Sequence, residues 1–336
     1  MTFGRALQNA FVVFAVMIYL AAQTFAQISA YRQPLDDAWW TGPLLAPNAS
    51  TLPEGHLLVE PYLNDVITQG FYNSSGSPLS APGENSYGSL TYIDYGLLNK
   101  LTIGTLPTFG YNAPSHGAGS AGIGFGDLTV QAQYRLHLFH EGSWIPTTSV
   151  NVQETLPTGR YDRLARPSDG FGAGAYTTTL GLYTQTYFWM PTGRILRMRL
   201  NVSQAFSSLA NIRDVSVYGT TQGFRGHAAP GAALLVDLAA EYNATRHWVL
   251  VMEGIYRHQY NTRVTGSNLA SITEPTPGRP QSIVLNSGSS QVFGLAPASE
   301  YNFNSRVGVI LGARLFPAGK NTTESITPVV AVNIVH

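Results

Sequence analysis

The sequence predicts an all-β chain: a transmembrane, antiparallel, up-and-down β-barrel of about twelve strands, with short periplasmic turns and longer extracellular loops. Three observations carry that expectation. Segments of roughly ten residues alternate between polar and apolar side chains, the period of a strand with one wet and one greasy face. The connections between them alternate in length, short and then long. Only 11% of the 336 residues are charged while 44% are hydrophobic. Soluble domains carry about a quarter charged residues, so a lipid-facing belt accounts for the deficit.

The first element is an export signal. Arg5 supplies a positive start, Phe11 to Ala22 is an apolar run of signal-core length, and Thr24-Phe25-Ala26 places small residues at both ends of a peptidase triplet. Residues 1–26 therefore read as a cleaved signal peptide. The run is shorter than the roughly 20 residues of a spanning helix, which leaves membrane crossing to strands. The destination this implies is the outer membrane of a Gram-negative bacterium, with membrane lipid, lipopolysaccharide and the outer-membrane assembly machinery as partners. Nineteen basic against 19 acidic residues give no excess with which to hold nucleic acid, and the absence of cysteine removes disulfides and thiolate metal sites. No cofactor or metal is expected, since no histidine pair has ligand spacing.

Residues 27–54 are rich in proline and lack a sustained period, and read as a periplasmic leader or possible plug. Trp39 and Trp40 would fill the lumen, sit at the membrane interface, or pack irregularly on the barrel rim. The barrel takes residues 55–336. Its strands are expected near His56 to Ile67, Asn85 to Gly96, Lys100 to Tyr111, Gly126 to Phe139, Trp144 to Leu156, Gly174 to Trp189, Arg194 to Ser207, Gly231 to Tyr242, His247 to Tyr260, Ser290 to Tyr301, Arg306 to Phe316 and Ser325 to His336. Short turns fall at Leu97 to Asn99, His140 to Ser143, Pro191 to Gly193, Asn243 to Arg246 and Asn302 to Ser305. Long loops are expected at Thr68 to Glu84, Asn112 to Phe125, Pro157 to Ala173, Ser208 to Pro230 and Asn261 to Ser289, with a brief last one at Pro317 to Glu324.

Parity within the strands assigns the faces. Asp127, Thr129, Gln131, Gln133, Arg135 and His137 oppose Leu128, Val130, Ala132, Tyr134, Leu136 and Leu138. If the polar face turns inward, candidate lumen residues are Gln133, Arg135, Asn151, Gln153, Arg197, Arg199, Asp237, Glu253, Arg257, Arg306 and Arg314. Both signs of charge are present. They form either a ladder that selects solutes or pairs that neutralise one another in a filled interior.

Two other chemistries compete for attention. Gly122, Gly124 and Gly126 suggest a phosphate loop, but a strand follows them where a helix is required, so they read as the end of a surface loop with a bulge or close packing. Ala118 to Gly122 (AGSAG), near His116, resembles a serine elbow without its strand-to-helix turn, and His258 stands as a lone candidate base. A barrel hydrolase is thus the third reading, behind a transporter and a structural or adhesive barrel. Five N-x-[ST] sequons, at Asn48, Asn73, Asn201, Asn243 and Asn321, are chance matches in a chain rich in serine and threonine.

The run GIGFGDLTVQAQYRL followed by ETLPTGRYD (Glu154 to Asp162), together with LAPASEYNFNSRVGVILGARLFPAGKN (Leu295 to Asn321), resembles an outer-membrane family labelled as transporters of the meta-cleavage pathway of phenol degradation. That resemblance covers most of the chain after Gly55. It implies passive uptake of small apolar or aromatic solutes, by analogy with long-chain fatty-acid transporters, with the lumen and the long loops setting selectivity and no enzymatic activity. Deletion of Gln27 to Glu54 separates a plugged channel, which should leak, from a filled structural barrel, which should not.

Overall fold

Strand pairing closes on itself in this chain. The computed structural model describes residues 32–268 and 281–336; the expected signal peptide lies outside the described residues. The strands are Leu57–Tyr72 (β1), Pro78–Leu98 (β2), Leu101–Leu106 (β3), Thr108–Pro114 (β4), Gly124–Phe125 (β5), Leu128–His137 (β6), Thr147–Leu156 (β7), Thr177–Trp189 (β8) and Ile195–Ser207 (β9). Ala210–Arg213 (β10), Phe224–Ala229 (β11), Ala233–Asn243 (β12), Trp248–Gln259 (β13), Arg263–Asn268 (β14), Gln281–Asn286 (β15), Ser290–Asn302 (β16), Val307–Lys320 (β17) and Thr322–Val335 (β18) follow. Twelve of these run in the order β1, β18, β17, β16, β13, β12, β9, β8, β7, β6, β3, β2, and β2 pairs back to β1. The result is a closed antiparallel barrel with no free edge, which is how a sheet satisfies its backbone in lipid. The twelve expected strands correspond one to one with this ring.

The faces follow the parity. Leu63, Val130, Tyr134, Val152, Leu182, Leu200, Leu238 and Leu311 are exposed on the outer wall, while Asn151, Arg197, Arg199, Asp237, Glu241 and Glu253 are buried inside. An apolar outside and a polar inside invert the pattern of a soluble domain and match a lipid-embedded wall.

Several connections depart from the expected loops. Thr68 to Glu84 is no loop: β1 and β2 continue their ladder past a bulge between Thr68 and Gly70 up to Tyr72↔Pro78. Serine, glycine and proline there look like a loop because above the lipid belt neither face needs an apolar period. The third expected strand is interrupted at Pro107, which has no N–H to give and separates β3 from β4. Its neighbour begins at Leu128 rather than Gly126, and Gly126 N–H instead donates to the Thr108 carbonyl at 2.9 Å. Pro317 to Glu324 is a tight reversal at Asn321, whose φ of 48° suits asparagine.

The two loops Ser208 to Pro230 and Asn261 to Ser289 hold a second sheet, in the order β10, β11, β14, β15. Ile212, Phe224, Ala228 and Val264 form its core. Each piece is only four to six residues long, and β11 pairs with β14 across the two loops, so neither loop read alone shows a sheet.

Candidate functional site

An irregular segment has no ladder, so each of its buried N–H and C=O groups needs another partner. Residues 32–56 solve this by running through the barrel interior and bonding to inward side chains from opposite walls. Glu253 on β13 accepts the N–H groups of Leu44, Leu45 and Ala46 at 2.5, 3.0 and 3.0 Å. Glu300 on β16 accepts that of Thr41 at 2.7 Å, and Gln185 on β8 that of Ala49 at 3.2 Å. The carbonyls are met by cations and amides: Arg314 donates to Leu44 O, Arg199 to Ala46 O, Asn201 to Pro47 O and Gln133 to Asn48 O, at 3.1, 2.8, 2.8 and 2.8 Å.

Apolar contacts anchor the same segment. Leu44 is buried against Tyr62, Val249, Val251, Ile255, Ile310 and Val329, inward residues of β1, β13, β17 and β18. Trp40 lies under the guanidinium of Arg197, whose carbon is 4.2 Å from the ring centroid, and Trp39 meets Arg246 in the same way at 4.4 Å.

The lumen charges also pair with each other. Arg197 clasps Glu241 with both sides of its fork, the Nε bond measuring 2.8 Å, and Arg199 Nε lies 2.8 Å from the same carboxylate. All three are almost fully buried. Such a cluster tolerates burial only because each charge meets an opposite one.

The expected lumen residues divide accordingly. Gln133, Arg199 and Arg314 bond to the leader backbone, Glu253 carries three of its N–H groups, and Arg197 belongs to the ion cluster. Asn151 and Gln153 on β7 approach Gln131 on the neighbouring β6 at 3.5 and 3.1 Å. Asp237 is buried and Arg135 half-buried on the inward face. Two others lie at the ends of the barrel. Arg306 precedes β17 and is exposed in the short turn, and Arg257 is exposed at the outer end of β13, donating to Gln259 at 3.5 Å. Parity holds for both, but parity places a side chain on a face and not at a depth. Glu60, Asp94, Gln185 and Glu300 were not singled out as lumen residues by the sequence, and Gln131 was placed on a polar face only; Glu60, the lone carboxylate of an otherwise apolar LLVEPYL, was the available signal.

One part of the lumen stays unfilled. A cavity of about 170 Å³ lies between the leader and the wall of β1, β2, β3 and β6, lined among others by Trp40, Glu60, Tyr62, Tyr92, Asp94 and Gln131. At the outer rim a second cleft of about 320 Å³ is bordered by Ile123, Phe125, Arg160 and Phe171.

Beside that rim cleft the glycine motif shows its purpose. Asp127 accepts the N–H groups of Gly159 and Ala173 at 2.8 and 2.7 Å, and Thr158 Oγ1 donates to Gly126 O at 3.2 Å. The G-F-G-D opening and the L-P-T-G exit are thus two halves of one clasp. A Cβ on Gly126 would lie 2.2 Å from Thr108 Oγ1, and one on Gly159 2.9 Å from Gly172 Cα. Burial pushes the Tyr218 hydroxyl up to about 12, and it donates to Ala173 O at 2.5 Å on the far side of the clasp.

The hydrolase candidates do not converge. Ser120 Oγ donates to Ser168 O at 2.6 Å and accepts from Asn112 N–H at 3.0 Å, a loop-tying role. His116 is exposed, and His258 stacks edge-on against Tyr260 at 4.6 Å.

Comparison with solved structures bears on the fold. The COG4313 outer membrane channel from Pseudomonas putida F1 superposes with a TM-score of 0.65 at 17% identity, over 87% of this chain and all of that one (100%). The TodX monoaromatic hydrocarbon channel (deltaS2 mutant) gives 0.35 at 8% identity, over 84% of this chain and 90% of its own. The Ralstonia pickettii toluene transporter TbuX gives 0.34 at 11% identity, over 89% and 93%. No curated protein matches the chain at a significant level. The sequence profile described as "Putative MetA-pathway of phenol degradation" matches residues 84–327, from within β2 to within β18. Because that match takes in well over half of the chain, including the clasp that carries the shared motifs, the chain belongs to the family so described.

Proposed function

We propose that the protein is an outer-membrane channel for uptake of small apolar or aromatic solutes by passive diffusion, and that residues 32–54 act as a plug that narrows the lumen. The observation that carries the reading is the cavity beside the leader. It is walled by the rings of Trp40, Tyr62 and Tyr92, with Tyr62 and Tyr92 edge to face at 5.9 Å. The rest of its lining mixes polar residues such as Gln131 and Gln133 with aliphatic ones such as Leu45 and Leu58, and a concave space that joins rings to polar groups is a common form of small-solute site. Ile123, Phe125 and Phe171 at the outer rim offer an apolar surface on which such a solute would first settle. The family's description, which names phenol degradation, points to the same solute class. A channel needs no nucleophile, which agrees with Ser120 being tied to Ser168.

The test is uptake and conductance of the refolded mature chain. Little ionic conductance in planar bilayers together with saturable liposome uptake of a labelled phenolic solute, and a rise in conductance on removing residues 32–54, is the expected result. Stable conductance without solute preference would leave a general diffusion pore. Silence in both assays, with and without the leader, would leave a structural barrel.

A further inference from the structure

Most lumen carboxylates are engaged within the chain: Glu241 by two guanidinium groups, Glu253 and Glu300 by leader N–H groups. Asp237 is buried with neither oxygen in a hydrogen bond among the described residues. Glu60 and Asp94 differ from all of these in their position. Both line the cavity beside the leader, and neither has an ion-pair partner among the described residues. Glu60 is only 8% exposed, and its Oε1 has no hydrogen-bond partner among the described residues. Asp94 accepts one bond, from Gln131 Nε2 at 2.7 Å. The guanidinium on the cavity wall, Arg199, is taken by Glu241 and the Ala46 carbonyl.

The two carboxylates are diagonal neighbours. On the β1–β2 ladder Glu60 faces Tyr92 and Leu58 faces Asp94. Diagonal side chains leave their Cβ atoms about 7 Å apart, which suits one cation held between two acids. A buried carboxylate oxygen without a hydrogen bond is costly, and a cation in this space would offset that cost for Glu60. A neutral hydrocarbon would leave that cost in place. The lining also holds three aromatic rings, Trp40, Tyr62 and Tyr92, a residue type that attracts cations as well as apolar bodies. About 170 Å³ is room for a benzene-sized body, which fits in roughly 150 Å³.

We infer that this cavity is a binding station for a small organic ammonium, its charged head between Glu60 and Asp94 and its ring against Tyr62, Tyr92 and Trp40. The inference deepens the uptake reading and rests on it: the preferred solute is a ring that carries an amine. Benzylammonium is a suitable probe and benzyl alcohol its neutral counterpart.

Calorimetric titration of the refolded full barrel, leader included, in non-ionic detergent tests it. Benzylammonium should bind saturably at one site, and benzyl alcohol about tenfold more weakly or worse, the loss of one charge-assisted contact. Glu60→Gln should weaken benzylammonium by a similar factor while leaving benzyl alcohol unchanged, and Asp94→Asn provides the same comparison should the first variant fail to fold. Equal affinity for ammonium and alcohol, or unchanged affinity in the folded variants, overturns the station. Binding without liposome uptake would sink the transport reading alone; uptake of neutral aromatics without benzylammonium binding would sink the station alone.

Discussion

Replacing Glu253 by alanine removes the acceptor of three successive leader N–H groups, at 2.5, 3.0 and 3.0 Å. A hydrogen bond to a charged group contributes a net of about 1.5–3 kcal/mol, so three independent bonds would total roughly 4.5–9 kcal/mol. That sum is an upper bound. The bonds share one carboxylate and do not add, and water entering the space left by the side chain re-partners some of the N–H groups. A loss of roughly 3–5 kcal/mol in leader docking remains, about two to four decades in its equilibrium. The wall should survive, because residue 253 keeps its ladder partners Ala239 and Ala296 whatever its side chain. Limited proteolysis of the leader in the refolded barrel reads the effect directly, since cleavage through a rapidly opening state scales with the opening equilibrium. The Glu253→Ala leader should be cut about a hundredfold faster or more, with the barrel still shifting mobility on heating; Glu253→Gln, which keeps one carbonyl acceptor, should fall between. A folded Glu253→Ala barrel whose leader resists protease as well as the parent's would refute the reasoning and leave Leu44 packing and the arginine contacts as the anchor.

Other changes act on other parts of the molecule. Glu241→Ala strands two buried guanidinium groups and should destabilise the barrel by about 3–5 kcal/mol, read as a lowered urea midpoint. Asp127→Ala frees the N–H groups of Gly159 and Ala173, so the loop from Pro157 to Ala173 should become protease-sensitive while the barrel midpoint stays nearly unchanged. Leu200→Arg puts a charge on the lipid face near the middle of β9 and should cost roughly 2–4 kcal/mol in a bilayer; stability equal to the parent's would place that face outside lipid.

The wall was legible in the sequence because a lipid-facing residue must be apolar at every second position, and few other constraints compete. The strand β9 shows this best: Arg197, Arg199 and Asn201 on one parity are buried, and Leu196, Met198 and Leu200 on the other face outward. In β13 the rule blurs, since Val249, Val251 and Ile255 point inward against Leu44 and look like lipid-facing residues on the wrong side. The reason is that part of the lumen packs on the leader and is therefore apolar. The extracellular sheet was illegible for another reason, as its strands are completed only by pairing between two loops far apart in the chain. Arg306 shows the limit in depth, where a one-residue difference in strand start moves a charge from the lumen to the turn.

Two lumen carboxylates, Glu241 and Glu60, differ in the sign of the effect their neutralisation should have. At Glu241 the charge is matched, so neutralising it strands its partners and must destabilise. At Glu60 no ion pair among the described residues offsets the burial and Oε1 is unbonded, so an empty barrel carrying Glu60→Gln should become more stable, by about 1 kcal/mol or more. A group kept at a cost to the empty fold is what a ligand-binding position looks like. Urea titration of the two variants side by side, without ligand, separates the cases: opposite shifts support Glu60 as a position held for a solute. A loss at Glu60 matching that at Glu241 would mean that Glu60 serves the architecture, and the cation station would lose its thermodynamic ground.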